Sequence, residues 1–192
     1  MKERAILHSD ANCFYASVEA VLNPDLRGKA VAVCGSEEER HGIVLAKSEK
    51  AKRAGVTTGM PNWKAREICP DIIIVKPHFE YYSKFSKMLH EIYERYTEYV
   101  EPFGLDECWL DVTDSMKSPM EIAEEIRQAV KDELGLTVSI GVSFNKVFAK
   151  LGSDLKKPDA ITEITRESFK GIPSPITGGD GNIEYLADFQ LN

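Results

Sequence analysis

The sequence predicts an α+β fold, a mixed or antiparallel sheet backed by helices. Three observations carry this expectation. Apolar segments of strand length alternate with segments whose apolar residues recur every three or four positions. Two of the latter, near 79–97 and 118–134, are amphipathic enough to cover one face of a sheet. Two strand-like runs, "EYVEPF" and "CWLDV", are separated only by "GLDE", with Gly104 as the turn residue, which signals a hairpin.

Taken in order, "RAILHSD" (4–10) reads as a strand ending in Asp10. The following "CFYASVEAVL" is a helix in which Phe14, Val18 and Val21/Leu22 recur until Asn23-Pro24 stops it. "KAVAVCG" (29–35) and "GIVLAKS" (42–48) are strands. Ser48 caps a short basic helix, "EKAKRA", which Gly55 closes. Pro61 suits the first position of another short helix ending before Pro70, and "DIIIV" (71–75) reads as a compact buried strand. In the long helix near 79–97, Tyr82, Phe85, Leu89, Ile92, Tyr93 and Tyr96 form one aromatic-rich stripe that reads as packing. Ser118-Pro119 starts the next helix, with Ile122, Ile126, Val130 and Leu134 inward and Gly135 as its stop. "LTVSIGVS" (136–143) is a strand. Asn145 then caps a helix carrying Val147, Phe148, Leu151 and Leu155, and Pro158 follows it.

A chain of 192 residues with 43% apolar content can bury a real core, as one large domain or a domain with a small subdomain. No run approaches the roughly 18 apolar residues of a membrane span, and "MKERAILHSD" lacks the features of a signal peptide. The expected location is the cytoplasm, away from membranes. Cys13, Cys34, Cys69 and Cys108 show no CxxC spacing and read as reduced thiols. The net charge of -7 argues against phosphate-backbone binding by the chain as a whole. Basic residues nevertheless cluster at Lys47, Lys50, Lys52 and Arg53, and at Lys146, Lys150, Lys156 and Lys157; on charge alone these read as solvated faces.

The acids of "FGLDECWLD" (103–111) are the candidate chemistry. On one straight strand Asp106 and Glu107 would point to opposite faces. At a hairpin tip both can lean over one edge, and Asp10 reaches that edge if its strand is a neighbour. Three carboxylates beside backbone carbonyls suit Mg²⁺. Their natural chemistry is in-line displacement at phosphorus by two metal ions about 4 Å apart. A surface hairpin with solvated acids fits the spacing equally well, and Asp111 reads as a bystander.

"HSDANCFYASVE" (8–19), "GLDECWLD" (104–111) and "NKVFAKLGSDLKKPD" (145–159), in this order and spacing, resemble the catalytic core of the Y-family lesion-bypass DNA polymerases of the DNA polymerase IV (DinB) type. "GIVLAKSEKAKRAGVTTGMP" (42–61) and "YYSKFSKMLHEIYERY" (81–96) fall where that family has its fingers and main palm helix. The resemblance covers roughly residues 4–168 and is expected to stop beyond Lys170. It implies a palm at 1–21 and 78–170, an inserted α/β fingers subdomain at 22–77, and a divergent tail at 171–192, with the thumb and little finger absent.

The same resemblance assigns roles. Asp10, Asp106 and Glu107 take the places of ligands to two Mg²⁺ ions, with the Ala11 carbonyl as an extra ligand and Asp106 and Glu107 as the catalytic pair. Cys13 and Phe14 lie where backbone amides cradle a triphosphate, as a helix start favours. Tyr15 takes the steric-gate position that excludes a 2'-hydroxyl. Lys157 matches a triphosphate-binding lysine, and Lys52 stands where many members carry arginine, a planar fork exchanged for a point charge. Gly104 stands where serine is common, Cys108 where a smaller residue is common, and Ala46 where a phosphate-touching threonine is common. The implied partners are primer–template DNA and dNTP, with a sliding clamp contacted through the missing regions.

The implied activity is translesion synthesis, weak or absent in this chain alone. The tail, rich in Gly and Pro, faintly resembles the end of haemolysin-like ribosomal RNA methyltransferases and is expected to be loosely ordered. Two alternatives come with this reading. One is a nucleotidyl cyclase-like palm enzyme, suggested by "TGGDG" (177–181), placed among turn residues rather than between two strands. The other is a non-catalytic remnant.

Overall fold

The structure, a computed structural model, describes residues 3–36 and 42–168 together with the backbone of 173–177 and 183–185. In chain order the elements are β1 (Ile6–Ala11), α1 (Phe14–Leu22), β2 (Val31–Cys34), β3 (Val44–Lys47), α2 (Glu49–Arg53), α3 (Asn62–Ile68), β4 (Ile73–Val75), α4 (Phe79–Tyr93), β5 (Val100–Phe103), β6 (Glu107–Asp111), α5 (Pro119–Leu134), β7 (Val138–Ser143), α6 (Lys146–Leu155), β8 (Ile161–Ile164), β9 (Pro173–Thr177) and β10 (Ile183–Tyr185).

The larger sheet runs β5-β6-β1-β7-β8. Its first three pairings are antiparallel and β7 with β8 is parallel, so the sheet is mixed. Register decides which residues share a face. Leu7 lies opposite Leu110 and Val142, whereas His8 lies opposite Trp109 and Gly141. The Leu7 face packs on Leu89 and Ile92 of α4 and on Ile122, Ile126 and Val130 of α5, forming the main core. Both helices carry the apolar period their sequences show. The start of α5 is a complete capping box, with Ser118 accepting from the Glu121 amide while Glu121 accepts from that of Ser118, and Gly135 closes the helix at a φ of 66°.

The opposite face is covered by α6. Of the apolar residues the sequence places on this helix, Val147 and Leu155 are 66% and 48% exposed. The buried side of α6 is instead Phe148, Ala149, Gly152 and Ser153. The reason is the closeness of the packing. A Cβ placed on Gly141 would sit 1.8 Å from the carbonyl oxygen of Ala149, and one on Gly152 3.0 Å from that of Thr162. Helix and sheet touch through backbone, so only small residues fit between them. With both faces covered, every residue of β1 and β7 is buried.

A second sheet, β3-β2-β4, has its own small core of Ala32, Cys34, Val44, Ala51, Val56 and Ala65. Val33, on the other side of β2, belongs to the main core. Ser48 caps α2 as expected, accepting from the Ala51 amide. Pro61 is the N-cap of α3 rather than its first residue. The "DIIIV" strand keeps only Ile73–Val75, half-buried, because β4 is an edge strand. The helix near 79–97 ends at Tyr93, and residues 94–96 turn the chain toward β5. Strand β8 has no counterpart in the sequence reading.

Within the tail expected to be loosely ordered, β9 and β10 pair antiparallel as a separate two-stranded sheet, whose edges tolerate the prolines of "PSPIT". Thr177 ends β9 and Ile183 begins β10, so "TGGDG" starts on a strand and precedes another, contrary to the expectation; residues 178–182 lie outside the described ones. No helix among the described residues is long and apolar enough to cross a membrane. The four cysteines are all free.

Gly141→Ala is expected to destabilise the chain by at least about 2 kcal/mol through forced backbone displacement. Gly35→Ala, where an added Cβ meets nothing within 4 Å, should stay within about 0.5 kcal/mol of wild type. Urea denaturation of both variants checks the contrast.

Candidate active site

A cavity of about 510 Å³ opens between the two sheets. The end of β1 and the start of α1 form its floor with Asp10, Ala11, Cys13, Phe14 and Tyr15; Lys47 of β3 and Lys52 of α2 line one side, and Asp106 of the hairpin turn and Lys157 beyond α6 line the other. Eight of the nine predicted site residues therefore meet at one hollow. The exception is Glu107.

Backbone pairing sets this geometry. Asp10 lies directly across the ladder from Glu107, and the Ala11 N–H donates to the Asp106 carbonyl at 2.9 Å. Asp106 is the last residue of the turn that Gly104 opens at a φ of 77°, and Glu107 is the first of β6. The hairpin thus joins the acids to Asp10, but the side chains do not all lean over one edge as expected. Glu107 points to the α6 side, where it contacts the Lys150 ammonium. The His8 Nε2 is also 3.1 Å from the Glu107 carboxylate, without hydrogen-bond geometry. Among the described residues no three His, Cys, Asp or Glu side chains are gathered as a metal cage. Asp111 sits at the far end of β6, bonded to Arg4 at 2.8 Å and to Thr113.

The electrostatics are those of a crowded anionic corner. Burial, followed by the charges of Asp10 and Glu107, pushes the Asp106 carboxyl up to about 6. Asp10, only 8% exposed, is also raised by burial, which outweighs the opposing effect of Lys157. Lys157 donates to Asp10 at 2.5 Å and to Asp154 at 2.7 Å, and these partners raise its pKa against the lowering effect of burial. Burial, then Lys150, holds His8 down to about 4, so it is neutral at pH 7 and Lys150 is the charged partner of Glu107. The donors are all hard oxygens, and the negative charge on Asp106 is under-compensated; both properties fit a divalent cation such as Mg²⁺.

The helix start supplies the opposite polarity. Cys13, the N-cap residue of α1, takes a left-handed conformation at a φ of 49° and offers no side-chain cap. That geometry is uncommon for a non-glycine residue and is found at functional sites. It turns the first amides of α1 into a concavity suited to an anion. Burial, then the nearby Glu49, raises the Cys13 thiol, so it stays protonated. Tyr15 is held in the wall by a flat stack on Tyr82, with centroids 4.1 Å apart and planes 9° apart.

Sequence reasoning missed Asn12. This buried amide donates to Ser139 at 2.8 Å and accepts from Thr137 at 3.1 Å and from the Asp159 backbone at 2.8 Å. It thereby ties the segment just beyond Lys157 to the ends of β1 and β7. A polar residue between the buried strand and helix was the available signal. Lys47, which the sequence offered only as part of a basic cluster read as a solvated face, and Thr58, which was missed, are bonded to each other at 2.9 Å on the cavity wall.

A family profile described as "impB/mucB/samB family" matches residues 9–154. The chain belongs to the impB/mucB/samB family. Among curated members, the DNA polymerase IV of Acetivibrio thermocellus is 58% identical over 178 residues, covering 89% of this chain and 45% of that protein. The DNA polymerase IV of Bacillus anthracis is 42% identical over 198 residues, covering 99% and 48%. A solved structure described as "Insertion ternary complex of Dbh DNA polymerase" superposes with a TM-score of 0.82 at 31% identity, over 86% of this chain and 50% of that one. DinB from Sulfolobus solfataricus superposes with a TM-score of 0.81 at 30% identity, over 86% and 50%.

This impB/mucB/samB chain spans about half the length of the curated relatives it matches. The resemblance to Y-family polymerases of the DinB type, read from three motifs, is borne out. Its extent is not: an alignment covering 99% of the chain runs past Lys170, so the likeness does not end there.

The raised pKa of Asp106 has a measurable consequence. A carboxyl whose folded pKa lies above its ordinary 3.8 favours the folded state while protonated; that contribution is present below 3.8 and is lost as pH rises through about 6. In chelator, Asp106→Asn is therefore expected to be more stable than wild type near neutral pH. The gain is on the order of 1–2 kcal/mol after discounting for solvent screening, and it should vanish below about pH 4. Urea titrations at the two pH values check the sign.

Proposed function

We propose that this chain is the catalytic portion of a template-directed DNA polymerase acting in lesion bypass. The proposed reaction transfers a nucleotide from dNTP to a primer 3'-hydroxyl. The observation that carries this reading is the meeting of Asp10 and the Asp106–Glu107 hairpin beside a cavity whose other walls hold lysines and a helix start. Family membership and the polymerase names of the relatives support it.

In the proposed mechanism, Asp10, Asp106 and Glu107 would hold two Mg²⁺ ions, with the Ala11 carbonyl as a further ligand and Glu107 released from its contact with Lys150. The ions, when bound, would supply Lewis-acid chemistry that makes the primer hydroxyl more acidic and stabilises charge on the phosphates. Lys157 and Lys52 neutralise the triphosphate, whose oxygens also accept from the first amides of α1. The face of Tyr15 lies under the sugar, where a 2'-hydroxyl would clash. These contacts align the primer oxygen with the α-phosphorus; the new P–O bond forms there as the bond to pyrophosphate breaks. In this reading residues 1–21 and 78–170 act as the palm and 22–77 as the fingers.

Primer–template DNA and dNTP are the proposed partners. The chain's net charge of -7 does not oppose this, because the lysines at the cavity need only serve one triphosphate while duplex binding rests on other regions of the full-length protein. On its own the 192-residue chain should bind Mg²⁺–dNTP weakly and extend a primer poorly. A cyclase would instead convert GTP or ATP to a cyclic product.

Isothermal titration of dNTP into the chain with Mg²⁺ should show metal-dependent binding that Asp106→Ala weakens at least about tenfold, equivalent to about 1.4 kcal/mol. Binding indifferent to that substitution would remove the catalytic reading and leave a folded remnant. Joined to the C-terminal half of the A. thermocellus relative, the chain should extend a primer, and Tyr15→Ala should admit ribonucleotides. Gel assays with dNTP and NTP read both outcomes.

A further inference from the structure

The ring of Tyr15 is not positioned by its own helix alone. Tyr82, fully buried on the first turn of α4, lies flat against it at 4.1 Å, and Phe79 meets both rings edge-on at 6.0 and 5.7 Å. A buried phenol hydroxyl needs a partner, and this one donates to Glu19 at 2.5 Å. Glu19 stands one turn after Tyr15 on α1. The single side chain of Tyr82 therefore spans positions i and i+4 of that helix, with its ring on Tyr15 and its hydroxyl on Glu19.

Glu19 is itself only 3% exposed and does not line the cavity. Its two carboxylate oxygens lie 2.9 and 3.1 Å from His78 Nδ1, on the residue directly before α4, where the chain returns from the smaller sheet. Nothing in the proposed phosphoryl chemistry uses this carboxylate. Burying such a group is costly unless it is well bonded, and here its bonds all go to the aromatic support of Tyr15 and to the entry of α4.

We propose that Glu19 is a positioning residue for sugar discrimination, acting through Tyr82 to fix the height and tilt of the Tyr15 ring. The inference rests on the reading of Tyr15 as the sugar-facing residue. Its physical basis is the softness of aromatic stacking to sliding: offset arrangements differ little in energy, so a stack alone locates a ring poorly within its own plane. A hydrogen bond at the far end of the lower ring removes that freedom. A gate that works by steric exclusion of one oxygen depends on such placement, since displacements near 1 Å suffice to change a reactive geometry.

The test is equilibrium binding of Mg²⁺–dGTP and Mg²⁺–GTP to the 192-residue chain, compared for wild type, Tyr82→Phe, Glu19→Ala, Glu19→Gln and Tyr15→Ala. Tyr82→Phe keeps the ring and removes only the hydroxyl, so it tests the anchor without emptying the core. Tyr82→Phe and Glu19→Ala are expected to lower the dGTP:GTP preference about tenfold by tightening GTP binding, with dGTP affinity held within about twofold. Glu19→Gln, whose amide oxygen still accepts from Tyr82, should keep the wild-type ratio. A merely structural Glu19 would weaken both nucleotides together, which overturns the proposal. So does an unchanged ratio in Tyr82→Phe and Glu19→Ala when Tyr15→Ala loses it, and the gate then stands without its anchor. A ratio indifferent to Tyr15→Ala removes the sugar-facing reading, and this inference with it.

Discussion

The register between β1 and β6 is the constraint on which the site depends. It sets Asp10 opposite Glu107 and bonds the Ala11 amide to the Asp106 carbonyl, so acids nearly a hundred residues apart in sequence meet at one sheet end. A slip of one residue would turn every side chain of β1 over, sending Asp10 into the apolar core and Leu7 toward α6. The two-sided burial of β1 makes that slip prohibitively costly. Fold stability and site assembly are thus one requirement: in "ILHSDA" Leu7 and Ala11 fall on the core face, while His8 and Asp10 fall on the other, against Ser153 and Lys157.

Charge is arranged locally against the average of the chain. Lys157 and Lys150 each face one acid of the corner, and Lys47 and Lys52 stand across the cavity. Exposed pairs elsewhere, such as Arg95 with Glu133 and Lys117 with Glu125, are worth little in water. The buried contacts differ. Burial raises the Asp10 carboxyl even though the Lys157 ammonium beside it acts in the opposite direction. In the proposed mechanism, metal ions would compete with these ammonium groups for the same oxygens.

Much of this was legible in the sequence because it is local. Helical periods, the Ser118 and Asn145 caps, Gly135 as a helix stop and the Gly104 turn each follow from neighbours within four residues. The hairpin that carries Asp106 and Glu107 was legible for the same reason. What escaped depends on distant contacts. Val147 and Leu155 look like core residues until the backbone of β7 is known to leave no room for them. Glu107 points toward α6 only because β6 begins at that residue, a one-residue boundary that propensity does not resolve. Asn12 and Glu19 act through partners 59 or more residues away, and a single polar residue in an apolar stretch does not announce which partner it will find.

The backbone contact at Gly141 has a mechanical consequence. With a strand and a helix meeting atom to atom, no slip plane remains between them, and α6 moves only as one piece with the sheet. Lys157 stands two residues past the end of α6 and two before Asp159, whose backbone N–H donates to Asn12, so it shares that stiffness. The opposite jaw is built on three short strands with its own small core, and at Gly28, Gly35, Gly55 and Gly59 an added Cβ would meet no backbone within 4 Å. The hollow is a vice with one fixed plate, and any change in its width has to come from the other.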